Sequence, residues 1–592
     1  MSKFHSSQHN KSTAFSLIEL LMLSSLSVIA PSLLGGDRSA AAVRVLNWSG
    51  VGLGLLSIAQ VFGLGLGRIL ESISILSVPN TLAFSLAGSA IVMVKLLSTI
   101  LIANVLDRRT WQKSWLNRGL LLVIAIALGV NMRAILPGGQ AAFSSLPFGA
   151  SVEIARNSLY VTRTAFFGYG PDSYANAFHA LKPLWLNNST YWQSSFDGAV
   201  NLPLTFVVTI GGVGLAAWLW LCYRLVRLAW QSRIEQKALA YFVLALLIWQ
   251  FFLPVGPLFF GLLFIAVAVL ASADSRKHQV KSYSFSFFNQ QGERHQLVDR
   301  IFTGLAVVVA GLATLMLVNL SRAFIASHHI YQANAALLQE DAVTAYESWQ
   351  QAANVAPRLD FIRRNYALIN LEIAIALSNK TDATAAEQEQ VVQLVNQAIR
   401  EARAAATLDP ANHQNWLVLA QIYTQLVESS EQAAQEAFNA LANAVNANPN
   451  DPLLRLSLGE LFVMLDKPND AIAFFNQAIE RKPDLVSAYY ALAQVLRQAG
   501  ALAETEQALV AALSLLEEDS EDHRTVAAEL DTVRQELATQ AESGGGADMS
   551  ELDLNSGLSL PEDEPSPLSN ILGDSLTDEA LREQAVDSDL GL

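Results

Sequence analysis

The chain has 592 residues, 52% of them hydrophobic, with a mean hydropathy of +0.31 and a formal charge of −15. High hydropathy and a large acidic excess fit poorly in one compact domain, so the chain should divide into parts. The acidic balance argues against a nucleic-acid partner, and a single cysteine, Cys222, excludes a disulfide framework and a Cys-based metal site.

Residues 1–320 carry the long apolar runs and are expected to form a polytopic membrane domain. A helix that crosses a bilayer needs about 20 mostly apolar residues. Such stretches lie at 14–34, 44–66, 82–105, 119–136, 203–223, 238–253, 256–273 and 301–320. The first resembles the start of a type IV pilin, but seven more spans follow it. The sixth and seventh are joined by Pro254-Val255-Gly256-Pro257, which suits a tight helical hairpin. Three basic clusters mark cytoplasmic loops. They are Arg108, Arg109, Lys113 and Arg118; Arg224, Arg227, Arg233 and Lys237; and Arg276, Lys277, Lys281, Arg294 and Arg300. Alternation then places loop 137–202, and everything after residue 320, on the outer side. Three early spans with Lys3 and Lys11 inside would invert this order. Either the N-terminus is outside, or one early segment, such as 65–81 with Arg68 and Glu71, does not cross.

Loop 137–202 is long for a connection, which favours a function over mere linkage. It contains LPFGASVEIARNSL (146–159) and FFGYGPDSYANAFHALKP (166–183), and YWQSSFDGAVNLPLTFVVTIGGVGLAAWL (191–219) leads into the next span. Gly168, Gly170 and Pro171 read as backbone geometry, because glycine permits positive φ and proline fixes its own. Arg156 and Arg163, seven apart, would share one face of a helix.

The order of these features resembles the C-terminal core of the O-antigen ligase and polymerase family, above all its variants fused to tetratricopeptide (TPR) repeats. The shared pattern is a Gly-x-Gly-Pro turn, an aromatic, Lys-Pro, Trp, Phe, Ala-x-Asn and then a span with Gly-x-x-Gly. The resemblance implies a bacterial inner-membrane enzyme that moves a glycan from an undecaprenyl-diphosphate-type carrier to an acceptor at the outer face, with no metal or other cofactor. Arg133, Arg156, Arg163 and Lys182 would then bind the diphosphate, where negative charge builds on the leaving group. His179 or Asp197 would be the general base, and Asn201 would belong with the glycines to the loop geometry.

Plainer roles stay open. Arg133 can snorkel to headgroups, and Arg156 and Arg163 can be solvated. Asp172 and Asp197 can be caps or turn residues. Tyr169, Tyr174, Phe178, Tyr191 and Trp192 can form an interfacial belt instead of stacking on sugars. The chain also departs from the family. Its ligases carry His-Asn before the span; here Val200 precedes Asn201, and valine carries no proton. His179 or Asp197 could substitute, the chain could follow a variant that never used this histidine, or catalysis could be lost.

Residues 323–515 repeat with a period of 34, the signature of a TPR α-solenoid, which is expected to cover 321–540. The clearest unit is Leu458, Gly459, Phe462, Ala471, Phe475, Ala478, Pro483. Another reads Trp416, Leu419, Ala420, Tyr423, Ala437, Ala444, Pro449, and two more second helices end Ala345, Trp349, Ala352, Pro357 and Ala398, Ala405, Pro410. A further first helix has Tyr489, Leu492 and Ala493, and 521–540 reads as a capping helix. Residues 541–592 hold thirteen acidic residues and one basic one, Arg582, and are expected to be disordered.

The expected fold is all-α: a multi-span transmembrane bundle, a TPR solenoid and an acidic tail. The expected function is handling of lipid-diphosphate-linked glycans at the outer membrane face, with membrane lipid as solvent and a protein or peptide on the concave repeat face. The repeats and tail would be extracytoplasmic. The alternative is a non-catalytic, membrane-anchored TPR scaffold for envelope assembly.

Overall fold

Ala-, Leu- and Gln-rich segments with few internal glycines or prolines favour helix, and among the described residues every regular element is helical. The computed structural model describes residues 39–64, 89–107, 109, 115–139, 145–254, 256–274, 296–339, 341–380, 384–427 and 430–543. The expected span 14–34, the stretch 65–81, the start of span 82–105 and all but the first three residues of the expected tail 541–592 lie outside them. The chain divides into two compact units, Met1–Asp451 and Pro452–Leu592. The first repeats therefore belong to the same unit as the apolar helices.

In the first unit the apolar helices are α1 (Ser39–Val61), α2 (Ala90–Leu106), α3 (Trp115–Ile135), α7 (Leu202–Gln231), α8 (Lys237–Phe252) and α9 (Pro257–Asp274). Among the described residues four helical stretches are long and apolar enough to cross a membrane: Ser39–Val61, Trp115–Ile135, Leu202–Gln231 and Ile234–Phe252; Ala90–Leu106 and Leu258–Ala271 are shorter apolar helices. Their shared core includes Met93, Leu97, Ile100, Ile124, Phe242 and Phe259. Small residues allow close approach: a Cβ on Gly54 would lie 3.0 Å from that of Ala127. Some polar groups inside this core find partners. Asn47 and Asn104 exchange side-chain hydrogen bonds of 3.0 and 2.8 Å. The buried Lys95 donates to the Pro254 carbonyl at 2.7 Å and lies 5.0 Å from the centre of the Phe259 ring.

Between α3 and α7 lie three short helices, α4 (Phe148–Ser158), α5 (Thr162–Phe167) and α6 (Tyr174–Leu181), and a 3₁₀ turn, Leu184–Asn188. After α9 comes α10 (Gln296–Leu338), one 43-residue helix about 65 Å long at 1.5 Å per residue. It joins the expected last span 301–320 to the first repeat without a break. The repeat helices of this unit are α11 (Ala342–Val355), α12 (Asp360–Ser378), α13 (Ala385–Leu408), α14 (His413–Thr424) and α15 (Glu431–Ala447).

The second unit holds α16 (Pro452–Met464), α17 (Pro468–Arg481), α18 (Val486–Gln498), α19 (Leu502–Ser514) and α20 (Glu521–Ser543). Within the units, α10 pairs with α11, α12 with α13, α14 with α15, α16 with α17, and α18 with α19, while α20 covers α19. The repeat alanines Ala345, Ala352, Ala398, Ala405, Ala437, Ala444, Ala471 and Ala478 are all fully buried. A larger side chain there would push the paired helices apart.

Candidate functional site

The Gly168-Tyr169-Gly170-Pro171 corner sits in a break in α7. That helix is interrupted at Gly211, whose backbone is left-handed (φ 65°, ψ −166°), and Gly168 has nearly the same conformation (φ 71°, ψ −171°). The two glycines meet. A Cβ on Gly168 would lie 2.3 Å from the Thr209 carbonyl, and one on Gly211 2.5 Å from the Phe166 carbonyl. Breaking a helix strips preceding carbonyls of their donors four residues on. The corner supplies replacements: Tyr169 N–H donates to the Val208 carbonyl and Gly170 N–H to that of Thr209, both at 2.9 Å. Only glycine provides both the positive φ and the missing Cβ that this contact needs.

Past the corner, Asp172 also has a positive φ of 67°, which a turn aspartate tolerates. The loop then folds on its own core of Leu146, Ala150, Ile154, Tyr174, Phe178 and Leu186. Its far side docks on the turns that connect the repeats. Asn176 Nδ2 donates to both carboxylate oxygens of Asp409 at 3.1 and 3.0 Å. Asn187 Nδ2 donates to the Asn450 carbonyl, and Asn450 Nδ2 to that of Lys182, both at 2.7 Å. The rings of His179 and His413 lie 4.5 Å apart. Asp409 and Asn450 flank Pro410 and Pro449, the prolines that close two repeats.

His179, the candidate base, is held on both sides. Its Nδ1 lies 3.5 Å from Asn448 Nδ2 and its Nε2 3.1 Å from Ser195 Oγ. With Asn448 donating to Nδ1, the ring proton belongs on Nε2 and points at Ser195. Burial, then the nearby His413, then Lys182 hold His179 well below the ordinary histidine range. His413 falls to about 4 through burial, then Arg364, then Lys182. Both rings are therefore neutral near pH 7.

The other sequence-chosen residues fall in different places. Lys182 is buried and donates to the Trp192 carbonyl. Arg133 ends α3, Arg156 lies in the last turn of α4 and Arg163 in α5; all three are exposed, and none forms an ion pair among the described residues. Asp197 is half-buried in the stretch before α7. Asn201 caps α7, accepting from Leu204 N–H at 3.1 Å, while its Nδ2 donates to the Phe251 carbonyl at 3.0 Å. Val200 donates its N–H to Ser151 Oγ at 3.1 Å. Asn176, Asn187, Asn448 and Asn450, which fix the docking, were not singled out by sequence. Their partners lie up to 269 positions away, where no local pattern reaches.

The family profile of the tetratricopeptide repeat matches residues 429–496. No curated protein matches the chain. Among solved structures, the chain is similar to a thermophilic TPR protein of Thermus thermophilus, with 17% identity over 36% of this chain and 99% of that one and a TM-score of 0.26. It is also similar to pilF of Pseudomonas aeruginosa (16% identity, 38% and 95% covered, TM-score 0.25). A third similar structure is yeast Tom70 (12% identity, 89% and 98% covered, TM-score 0.28). The family match, the buried alanines and the paired helices together establish that the chain carries tetratricopeptide repeats and is suited to protein–protein interaction.

Proposed function

We propose that this chain is a membrane-anchored scaffold whose repeats present a binding face to a protein or peptide partner. The observation that carries this is the docking of loop 174–201 on the repeats. Its polar contacts fall on Asp409, Asn448 and Asn450, which are turn residues, and α6 also packs on α15, so the repeat-helix surface away from these contacts is left for a partner. Because α10 runs unbroken into the first repeat, the array begins on a long apolar helix and is held a second time by the docked loop. Glu372 on α12 and Gln421 on α14 are exposed. A photo-cross-linking residue at either position should trap a discrete protein partner in cells. Glycan transfer by the purified chain, supplied with a lipid-diphosphate glycan and an acceptor, would overturn the scaffold reading.

A second reading keeps the O-antigen ligase-like chemistry at the outer face of a bacterial inner membrane. The observation favouring it is that Arg133, Arg156 and Arg163 are exposed and free of ion pairs among the described residues, so their charge is available to a diphosphate. Under this reading a double Arg156→Ala, Arg163→Ala chain loses transfer, and Val200 leaves His179 or Asp197 as base. The buried position of Lys182 and the two-sided hold on His179 favour the scaffold.

A further inference from the structure

We propose that the segment 156–169, around the α4–α5 junction, is a docking surface for the outer interface of a bilayer, with Phe166 and Phe167 set among the acyl ends and Arg156 and Arg163 on anionic lipid phosphates. It rests on the membrane-anchored reading above and adds a lipid contact outside the spanning helices.

The exposure is unusual for a segment beside packed helices. Tyr160, Val161, Phe166 and Phe167 are each more than half exposed, Phe167 at 68% and Tyr160 at 74%. Isolated exposed apolar residues need no explanation, but a contiguous group marks an interaction site. Arg163 stands three and four residues before the two phenylalanines, so on α5 all three share one face. Between Glu153 and Asp172 the segment has no acid and two arginines, and Glu153 already accepts from Trp185 Nε1 at 2.9 Å.

Hydrogen bonds set the level of this face. Trp218 Nε1 donates to Gln250 Oε1 at 3.0 Å, so residue 218 of α7 stands beside residue 250 of α8. Lys237 Nζ reaches the Ala229 and Trp230 carbonyls at the other end, so the two helices run antiparallel. The α8 helix ends at Phe252, two residues beyond that crossing, and Gly211 lies seven residues before Trp218. At 1.5 Å per residue, Gly211 stands about 7 Å past the end of α8. The α5 helix packs on α7 here, through the contact of Gly168 with Thr209. If the 19-residue stretch Ile234–Phe252 that contains α8, about 28 Å long, crosses the hydrocarbon core of about 30 Å, α5 falls in the headgroup layer, which adds about 5–7 Å on each side. Aromatic rings and arginines belong at that depth. A soluble protein seated on the same face is the competing occupant, and the test separates the two.

The test uses the full chain with Cys222→Ala, one new cysteine carrying an environment-sensitive fluorophore, and reconstitution in nanodiscs of phosphatidylcholine with or without phosphatidylglycerol. Probes at Phe167→Cys and Tyr160→Cys should shift to the blue and be quenched by lipids spin-labelled near the headgroup. A probe at Leu122→Cys, on the exposed face of α3, should be quenched by lipids labelled deep in the chain. Arg156→Gln with Arg163→Gln should abolish any added quenching from phosphatidylglycerol. If position 122 is quenched and 160 and 167 are not, the surface faces something other than lipid and the proposal falls. If position 122 is also unquenched, the membrane reading beneath it falls.

Discussion

In the apolar helices Gly54 meets Ala127, and in the repeats Gly459 meets the Phe475 ring, where a Cβ would lie 2.3 Å from a ring carbon. Both regions bring helices together by setting small residues against larger ones. They differ in how they treat polar groups. Nine ion pairs lie in the repeats, between residues 360 and 536. In the apolar region the buried cation Lys95 takes a backbone carbonyl instead, and the broken helix α7 is repaired by backbone donors from the loop. Repeat rims face water, so charges can sit there at little cost and contribute little. Where water is absent, a polar group left without a partner in the protein is costly.

The contrast is sharpest at Phe475, which is fully buried. Phe475→Ala should cost about 4 kcal/mol, read as a lower denaturant midpoint for helix loss in the full chain. Arg497→Ala removes two ion pairs on partly exposed side chains and should cost under about 1 kcal/mol. Equal losses would mean that the repeats depend on charge as much as on packing.

Gly211→Ala probes the backbone repair. The variant adds a Cβ at positive φ and pushes it into the Phe166 carbonyl. Strain of this kind costs about 1–3 kcal/mol before any clash, so a loss near 3 kcal/mol is expected. Hydrogen exchange should rise at Tyr169 and Gly170, whose amide protons bridge the break. Unchanged protection there would show that the corner does not depend on the helix break.

Acid should loosen the docking between the loop and the repeats. His413 has its pKa depressed to about 4 against an ordinary 6.5, and its Nδ1 is buried with no partner among the described residues. The folded chain holds this ring neutral while the unfolded chain takes up a proton first. Stability is therefore fully present above pH 6.5 and falls as pH drops from 6.5 towards 4. At 1.36 kcal/mol per pH unit the loss reaches at most about 3 kcal/mol from His413. His179 adds to it in the same direction. Lys182 and Arg364 raise the cost of that proton, while Asp360 and Asp409 face Arg364 and soften it. His413→Gln should flatten the pH dependence of exchange protection over 174–188. If the slope stays, another group titrates.

The repeats were legible because their information is local and periodic: an alanine every seven residues and a closing proline report helix contacts within one 34-residue unit. The glycine corner was half legible. Gly168 and Gly170 announced special backbone geometry, and Gly-x-x-Gly stood in the next span, but nothing in the string says that Gly168 and Gly211 touch. Docking was not legible. Asn176 and Asp409 are 233 positions apart, and asparagines in a loop read equally well as turn formers. For the same reason Lys182, grouped on sequence with the diphosphate-binding arginines, gave no sign that the Trp192 carbonyl takes its ammonium group.

A matched pair of tryptophans makes the finest test of the polar contrast. Trp218 donates to Gln250 Oε1 inside the apolar core, and Gln250 Nε2 already lacks a partner among the described residues. Trp416 donates to the Pro410 carbonyl at 2.8 Å on an exposed edge of the repeats. Phenylalanine at either site keeps an aromatic ring and removes the donor. Trp218→Phe leaves a buried acceptor unsatisfied and should cost about 1–3 kcal/mol. In Trp416→Phe water replaces the lost donor, so the cost should stay below about 1 kcal/mol. Unfolding of the two full-length variants in the same detergent gives the difference directly. If Trp416→Phe proves the more damaging, the apolar core admits water at Gln250, and the two regions do not differ in how they treat polar groups.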